Sequence, residues 1–325
     1  MNPSLKIASL KLKSNLILAP MAGITDLPFR MLNRKFGCVF AFTEMLNVRS
    51  VSYKSRRLKE MLTFDRQDSP LGVQILGCEP KFILKALEVL AKYKFALLDF
   101  NAACPAKKVV RRGEGASLLK DPKKLGVILR LLVKNSSIPV TIKIRTGWDN
   151  NSVNAKEISC LAQDSGVAAV FIHGRTKTQE YSGDADYATI AAVKKSLEVP
   201  VIASGNIFDG KLAKKMLDET GCDGLLVARG ALGNPWIFKE IKEYLAKGKI
   251  TQKPQIKDIA RTMTAHLHSY VEFYGERNAV IKFRKFFIWY TKGLHNIRPL
   301  REEASGVKTE IKMLEIIHDF SGFFS

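Results

Sequence analysis

The sequence lacks the features that would place a protein in a membrane or send it out of the cell. Its 325 residues contain no apolar run of the roughly 18 residues that a membrane-spanning helix needs. The first segment, MNPSLKIASLKLKSNLILAP, has neither the long apolar core nor the small-residue cleavage site of a signal peptide. We therefore expect a cytoplasmic protein with no membrane association.

Cysteine is scarce and scattered. The five cysteines form no CxxC pair and stand at positions Cys38, Cys78, Cys104, Cys160 and Cys222. An odd number spread so widely argues against a disulfide framework and against a structural zinc site. We expect no metal site, and we expect every cysteine except Cys104 to be a buried structural residue.

Acidic residues are too few to balance the basic ones. Lys and Arg number 52 against 31 Asp and Glu, a formal net charge of +21. Basic side chains release condensed counterions when they contact phosphates, so a surplus of this size favours a polyanionic partner. A lysine-rich proteome would give the same balance, and charge alone therefore does not decide between the two.

Short apolar segments alternate with amphipathic stretches of helical length. Fully apolar cores such as AAVFI and VPVIA are typical of parallel strands that are covered on both faces. Eight such strands are predicted, at Ile17–Ala22, Val39–Met45, Leu71–Gly77, Ala96–Asn101, Val140–Arg145, Ala168–His173, Pro200–Ser204 and Gly224–Ala228. Eight strand–helix units predict an α/β fold of the (β/α)8 TIM barrel type. A doubly wound sheet is the alternative, but the first strand is not followed by a G-x-G-x-x-G turn.

The pattern changes character after about residue 240. Helical segments are predicted at Ile256–Tyr274, Ala279–Tyr290 and Thr309–Phe320, and residues 247–254, KGKITQKP, read as a linker. We therefore expect a barrel domain over residues 1–244 and a C-terminal helical domain over residues 245–325.

Polar residues recur where the predicted strands end, which is where barrel enzymes carry their active sites. In chain order the strand ends contain Pro20 to Ala22, Glu44, Gln74, Asn101 with Cys104, Lys143 with Arg145, His173 with Arg175, Ser204 to Asn206, and Ala228 with Arg229. A thiol, an ammonium, an imidazole and two amides from separate strands predict a common site.

Three of these residues are the strongest candidates for chemistry. Cys104 stands before a proline in a basic, glycine-containing loop, surroundings that favour a functional thiol. Lys143 interrupts an apolar strand, and a buried lysine is costly unless it meets an anion or a substrate; a Schiff-base aldolase lysine would look the same. His173 is either a core histidine or a site residue, and its place at the barrel mouth favours the second.

The last two strands end in ASGNI and ARGALGNPWIF. Barrels commonly bind phosphate with the loops after strands seven and eight. The backbone N–H groups of Gly205, Asn206, Ala228 and Arg229 are therefore candidate phosphate ligands, and the residues alone indicate a barrel enzyme with a phosphorylated ligand.

Together these motifs resemble the tRNA-dihydrouridine synthase family. The matching segments are LAPMAGITDLPFR, the Asn-x-x-Cys-Pro segment with AKKV, TIKIRTGW, HGRTKTQEYSGDADY, VIASGNI and ARGALGNPWIF, and FRKFFIWYTKGL is similar to the C-terminal signature of the family. The resemblance covers nearly the whole chain. CPAKKV and WYTKGL are most similar to the bacterial B-type subfamily.

The resemblance implies a bound FMN, reduction of this flavin by NADPH, and hydride transfer to C6 of a uracil in tRNA. Cys104 would be the general acid that protonates C5. Cofactor contacts are implied for Lys143, His173 and Gln74 at the flavin ring, for Pro20, Met21 and Ala22 beside it, and for Gly205, Asn206, Ala228 and Arg229 at the phosphate. A monomer is expected.

RNA contacts are expected from the basic loop beside the thiol and from the C-terminal helices. The residues are Lys107, Lys108, Arg111 and Arg112 in the loop, Asn101, Arg145 and Arg175 at the strand ends, and Arg284 and Lys285 in the C-terminal segment. Two positions depart from the family pattern, which usually has glycine where this chain has Ala103 and Ala228. Alanine is compatible with both turns if its φ is negative there.

Three other functions remain open at the level of sequence. The first is an FMN barrel enzyme for a free pyrimidine, which would not need the excess of positive charge. The second is a lysine Schiff-base aldolase acting through Lys143. The third is an RNA-binding barrel without catalysis, against which the presence of Cys104, Lys143 and His173 argues.

Overall fold

A computed structural model describes residues 4–249 and 253–323. Eight parallel strands, β3, β4 and β6 to β11, close into a barrel because β4 also pairs with β6. The strands are β1 Leu5–Ile7, β2 Leu10–Leu12, β3 Leu16–Leu18, β4 Phe40–Phe42, β5 Leu46–Asn47, β6 Leu71–Leu76, β7 Leu97–Asn101, β8 Val140–Arg145, β9 Val170–His173, β10 Val201–Ser204 and β11 Gly224–Val227. The expected TIM barrel is confirmed.

Helices surround the barrel and continue beyond it. They are α1 Leu27–Lys35, α2 Val48–Ser52, α3 Arg56–Met61, α4 Pro80–Leu90, α5 Lys107–Val110, α6 Pro122–Asn135, α7 Ala155–Asp164, α8 Tyr187–Lys195, α9 Gly210–Thr220, α10 Ile237–Lys247, α11 Ile256–Tyr274, α12 Glu276–Tyr290, α13 Arg298–Gly306 and α14 Glu310–Phe323. Within the two described ranges, no helix is long and apolar enough to cross a membrane.

All eight predicted strands form, but the first two, β3 and β4, are shorter than predicted. Ala19 still donates its N–H to Val227 O at 2.8 Å, and the chain then turns, with the N–H groups of Ile24 and Thr25 both on Met21 O. Pro20 has no N–H with which to extend the ladder. This early turn makes Pro20, Met21 and Ala22 part of a loop at the mouth of the barrel.

Side chains alternate along strand β8, so that its apolar residues face the surrounding helices and its polar residues face the barrel interior. In β8, Val140, Ile142 and Ile144 pack outward in the large core cluster beneath the helices. Thr141, Lys143 and Arg145 take the other positions, and successive strand residues point to opposite faces. The sequence VTIKIR therefore places a hydroxyl, an ammonium and a guanidinium on the interior face.

The hairpin of β1 and β2 packs at the N-terminal end of the barrel. Its residues Leu5, Ile7 and Leu12 are buried in one cluster with interior side chains such as Phe171 and Leu226. The hairpin thus covers the lower end of the barrel with apolar side chains. The polar interior residues lie at the opposite end, where the strands finish.

The C-terminal helices pack on one another and on α1. Phe29 of α1 lies 5.7 Å from Phe286 of α12, between ring centroids, and His266 of α11 is fully enclosed by aromatic rings. Helices α11, α12 and α14 overlap the predicted helical segments, whereas α13 was not predicted. Residue 244, the predicted domain boundary, lies inside α10, and residues 250–252 of the predicted linker are outside the described residues.

Candidate active site at the barrel mouth

A cavity of about 350 Å³ opens at the C-terminal ends of the strands, a volume within the usual range for small-molecule sites. Every residue expected to act in catalysis or to hold the cofactor lines it. These residues are Pro20, Met21, Ala22, Gln74, Cys104, Lys143, His173, Gly205, Asn206, Ala228 and Arg229. Asn101 and Arg145, both expected to contact RNA, also line the cavity.

The Cys104 thiol is held by a turn that Asn101 organises. Asn101 ends β7, and its Oδ1 accepts the N–H groups of Ala103 at 3.0 Å and Cys104 at 2.8 Å. An asparagine that caps the following residues in this way stabilises a sharp turn. Asn101 therefore orients the thiol, and Ala103 is not among the residues with positive φ, so alanine fits the turn.

The environment of Cys104 keeps its thiol protonated. Burial raises its pKa above the ordinary value of 9.0, although the backbone at Ala106 and the charge of Arg145 act in the opposite direction. A thiol that retains its proton at neutral pH can serve as an acid but is a poor thiolate nucleophile.

Lys143 lies in the barrel interior without a carboxylate in contact. Its Nζ donates to Ser204 Oγ at 3.3 Å, and it forms no salt bridge with any residue in the described ranges. Burial first, and the neighbouring Arg145 second, lower the pKa of Lys143 to about 8. A desolvated ammonium with only a hydroxyl partner is well suited to meet an electron-rich ligand atom.

His173 is a neutral member of the site. Burial lowers its pKa well below the ordinary value, and the positive charge of Lys143 and nearby arginines adds to the effect. Its Nδ1 lies 3.5 Å from Ser204 Oγ and its Nε2 lies 3.4 Å from Arg175 Nη1. A neutral imidazole can donate from one nitrogen and accept at the other.

Gln74 belongs to a buried hydrogen-bonded chain beneath the cavity. Its Nε2 donates to Asp99 Oδ2 at 2.7 Å, and its Oε1 accepts from Asn101 Nδ2 at 2.8 Å. Asp99 also accepts from Thr141 Oγ1, and burial raises its pKa to about 6. Asp99 was missed at the sequence level, although a carboxylate inside the apolar strand LLDFN was the available signal.

The turns after β10 and β11 meet at one edge of the cavity. A Cβ at Gly230 would stand 2.0 Å from Ile207 O, so only glycine permits this approach. The N–H groups of Gly205, Asn206 and Arg229 donate to no described backbone carbonyl. Ala228 has a negative φ of −116°, but its ψ of −97° lies outside the α and β ranges that alanine prefers. Free donors here, beside the Arg229 guanidinium, fit an anionic group such as a phosphate.

Two arginines expected to contact RNA are instead internal. Arg145 is 3% exposed and donates to Ala103 O, Thr176 O and Glu180 O. Arg175 is fully buried and bonds Asn206 Oδ1 at 2.9 Å as well as the Ser182 and Gly183 carbonyls. Both guanidiniums hold loops around the cavity, and Arg145 is also part of the cavity wall.

The basic loop lies where an RNA backbone could reach it. Lys107, Lys108, Arg111 and Arg112 are exposed on α5 and the turn that follows, directly after the thiol. The two C-terminal candidates differ from this loop. Arg284 donates to Val307 O, and Lys285 donates to Gly23 O at 2.5 Å, so both are engaged within the protein.

Aromatic side chains complete the rim. Tyr181 is 54% exposed, and the Arg229 guanidinium lies 4.8 Å from its ring centroid. The ring centroid of Phe208 lies 5.5 Å from the same guanidinium. The sequence did not single out either ring, although Tyr181 belongs to the HGRTKTQEYSGDADY segment. The cavity thus combines apolar walls, an unpaired ammonium and free N–H donors, a set that fits a ligand with a polar ring system and a phosphate.

Comparison with known proteins agrees with this geometry. The family model described as dihydrouridine synthase (Dus) matches residues 17–322. The chain is 38% identical over 317 residues to a probable tRNA-dihydrouridine synthase of Rickettsia conorii, covering 97% of this chain and 96% of that one. It is 36% identical over 321 residues to tRNA-dihydrouridine synthase B of Pasteurella multocida, with 99% and 96% covered.

A solved structure supports the fold. Histamine dehydrogenase from Rhizobium sp. 4-9 superposes with a TM-score of 0.58 at 11% identity. The match covers 82% of this chain and 50% of the dehydrogenase chain. At this identity the likeness concerns the barrel architecture alone.

Proposed function

The chain belongs to the dihydrouridine synthase family, and on that premise we propose that its cavity binds FMN and serves the reduction of uridines in tRNA to 5,6-dihydrouridine. The chain is an oxidoreductase that uses a flavin. The substrate class follows from the family, and the roles of individual residues are inferred from their positions.

One observation carries the proposal: the protonated thiol of Cys104 and the unpaired ammonium of Lys143 line the same cavity. The thiol can donate a proton to a basic carbon, and the ammonium can stabilise an electron-rich ring. Reduction of a uracil double bond needs both, because it adds a proton and a hydride to adjacent carbons.

The residues around the cavity divide into ring contacts and phosphate contacts. Lys143, His173 and Gln74 would hold the polar edge of the flavin, and the Pro20–Ala22 loop would cover its face. The free N–H groups of Gly205, Asn206 and Arg229, with the Ala228 turn, would hold the phosphate. The bound, reduced flavin supplies the hydride that adds to C6 of the uracil.

Cys104 completes the reduction by giving its thiol proton to C5. Hydride addition at C6 leaves enolate character, with negative charge at C5. C5 must then accept a proton, so the S–H bond of Cys104 breaks as the C5–H bond forms. The resulting thiolate regains a proton from solvent. Asn101 keeps the thiol in place throughout, because it fixes the backbone on which Cys104 stands.

The basic loop 107–112 is proposed to bind the RNA backbone beside the thiol. A uridine of folded tRNA must leave its stack to enter the cavity, and a nearby phosphate anchor favours that position. We further propose NADPH as the reductant and a monomer as the working state.

An absorption spectrum of the purified protein, followed by an anaerobic redox cycle, tests the proposal. We expect a flavin spectrum that bleaches with NADPH and returns on addition of unmodified tRNA, with dihydrouridine found by mass spectrometry. A colourless protein that FMN fails to reconstitute would refute the proposal. Trapping of a ketone on Lys143 by borohydride would then favour the aldolase alternative.

A further inference from the structure

Both backbone polar groups of Gly23 are held by charged side chains. Its N–H donates to Glu44 Oε1, and its carbonyl accepts from Lys285 Nζ at 2.5 Å. Glu44 follows β4 of the barrel, whereas Lys285 belongs to α12 of the C-terminal helices. Hydrogen bonds with one charged partner are stronger than neutral ones, so the two peptide groups that flank the Cα of Gly23 are firmly placed.

Gly23 ends the loop that lines the cavity. Pro20, Met21 and Ala22 immediately precede it, and all three lie at the cavity wall. The φ of Gly23 is +72°, and no atom lies within 4 Å of a Cβ built there. Packing therefore does not fix the loop at Gly23, where the two hydrogen bonds hold the backbone, while the turn between Met21 and Thr25 is closed by its own hydrogen bonds.

The surroundings of the Lys285 side chain favour its contact with the Gly23 carbonyl over one with solvent. Its side chain is half-buried along Phe286 and Trp289, with Nζ 5.3 Å and 5.9 Å from the two ring centroids. Burial lowers its pKa, while the carboxylates of Asp26 and Glu44 act in the opposite direction. This ammonium is desolvated on one side, and one of its three donors is bonded to the Gly23 carbonyl.

A second contact ties the same segment to the C-terminal helices. Asp26, three residues after Gly23, accepts from Tyr270 Oη at 2.7 Å and from Tyr274 Oη at 2.9 Å. Asp26 also caps α1 by accepting the N–H of Phe29. The loop and the helix that follows it are thus both fastened to α11 and α12.

From this arrangement we infer that Lys285 and Glu44 are positioning residues for the flavin site, and that the C-terminal helices form part of its frame. The inference rests on the proposed function, because it takes the ligand beside Pro20–Ala22 to be FMN. It assigns to the C-terminal helices a role in cofactor binding in addition to any contact with RNA.

Titration of FMN into the flavin-free full-length chain tests the inference, with fluorescence quenching as the measure of affinity. Lys285→Met keeps the length of the side chain but removes its charge and its donors. We expect its FMN affinity to be about 5- to 50-fold weaker, less than the roughly 10- to 150-fold for loss of a direct hydrogen bond to a charged group, because Lys285 acts on the ligand through the loop. Lys285→Arg, which keeps a charged donor, should stay within about threefold of wild type.

Lys292→Met is the matched control, because Lys292 is exposed just after α12 and its loss changes the net charge equally. It should leave FMN affinity unchanged and should weaken tRNA binding no less than Lys285→Met does. Glu44→Gln removes the charge that faces the N–H of Gly23. Combined with Lys285→Met it should weaken binding by less than the product of the two single effects, since both side chains hold the backbone of the same residue.

The outcomes separate the inference from the proposed function. Wild-type protein that binds FMN while Lys285→Met binds it equally well overturns the inference and leaves the function intact. Wild-type protein that binds no FMN overturns both. If Lys285→Met does not fold, the comparison is made with Glu44→Gln, and unchanged FMN affinity in that variant overturns the inference.

Discussion

The two ends of the barrel hold buried charge in opposite ways. At the N-terminal end, Asp68 receives Arg30 Nε at 2.7 Å and Arg34 Nε at 3.3 Å. The remaining donors of both guanidiniums reach backbone carbonyls, including Thr25 O, Thr63 O and Val39 O. Charge and hydrogen bonds are both satisfied here, as is usual for a structural ion-pair network.

At the mouth the buried cations have neutral partners. Lys143 bonds a serine hydroxyl, and Arg145 and Arg175 bond backbone carbonyls and an asparagine. Each of these three groups also has its pKa lowered, chiefly by burial. This difference indicates that the buried positive charge at the mouth needs an electron-rich ligand, whereas the buried charge at the opposite end is compensated within the protein.

The largest effect is expected at the mouth, from Cys104→Ala. This change removes the proposed acid but no cofactor contact, so tRNA reduction should fall by about 10²- to 10⁴-fold while bound flavin persists. Turnover is measured as dihydrouridine formed per flavin. Cys160→Ala, on α7 outside the barrel, should retain activity. Wild-type turnover in Cys104→Ala would remove the thiol from the mechanism.

At the opposite end the expected loss is one of stability. Asp68→Asn leaves two buried guanidiniums without their carboxylate and should lower the free energy of unfolding by roughly 3–5 kcal/mol. Asp65→Asn, at an exposed position three residues earlier, should change it by about 0.5 kcal/mol or less. Denaturant unfolding measures both. If the two variants were equally stable, the comparison between the barrel ends would not hold.

Lys143→Met should separate binding from stability. Removing a buried cation without a carboxylate partner should leave the free energy of unfolding of the flavin-free chain unchanged or higher. FMN affinity should weaken by about 10- to 100-fold, the value of a hydrogen bond to a charged group. Lys134→Met, on the exposed face of α6, should alter neither. A marked loss of stability in Lys143→Met would show that this lysine is structural.

The smallest effect concerns pH. Because the pKa of Lys143 is about 8, the free protein carries the charge below that pH and loses it above. FMN affinity should therefore decline as pH rises through about 8, by up to about tenfold per unit at its steepest. Lys143→Arg retains its charge over this range and should show a flatter profile. Equal profiles for the two proteins would contradict the assigned role.

The barrel itself was predictable because several of its strands, such as AAVFI and VPVIA, are apolar on both faces. The interior position of Lys143 and Arg145 also follows from sequence, since VTIKIR alternates. What sequence did not indicate is where Arg145 directs its guanidinium. Its acceptors lie in two loops, Ala103 after β7 and Thr176 with Glu180 after β9, and only folding brings these loops together.

The same limit applies to the C-terminal helices. The α12 segment FRKFFIWY predicted a helix, and two of its cations were expected to face RNA. In the structure Arg284 bonds Val307 O and Lys285 bonds Gly23 O, a residue 262 positions earlier in the chain. The helix α13, RPLREEASG, was missed because it is short and polar and has a single fully buried residue, Ala304, so few apolar positions mark it as a helix.

The apolar hairpin beneath the barrel has a consequence for kinetics. Leu5, Ile7 and Leu12 fill the lower end of the barrel, so ligands of the cavity enter and leave through the mouth alone as far as the described chain extends. The reductant and tRNA must then approach the flavin one after the other through the mouth. Initial-rate plots at several fixed tRNA concentrations should give parallel lines, and excess tRNA should inhibit competitively against the reductant.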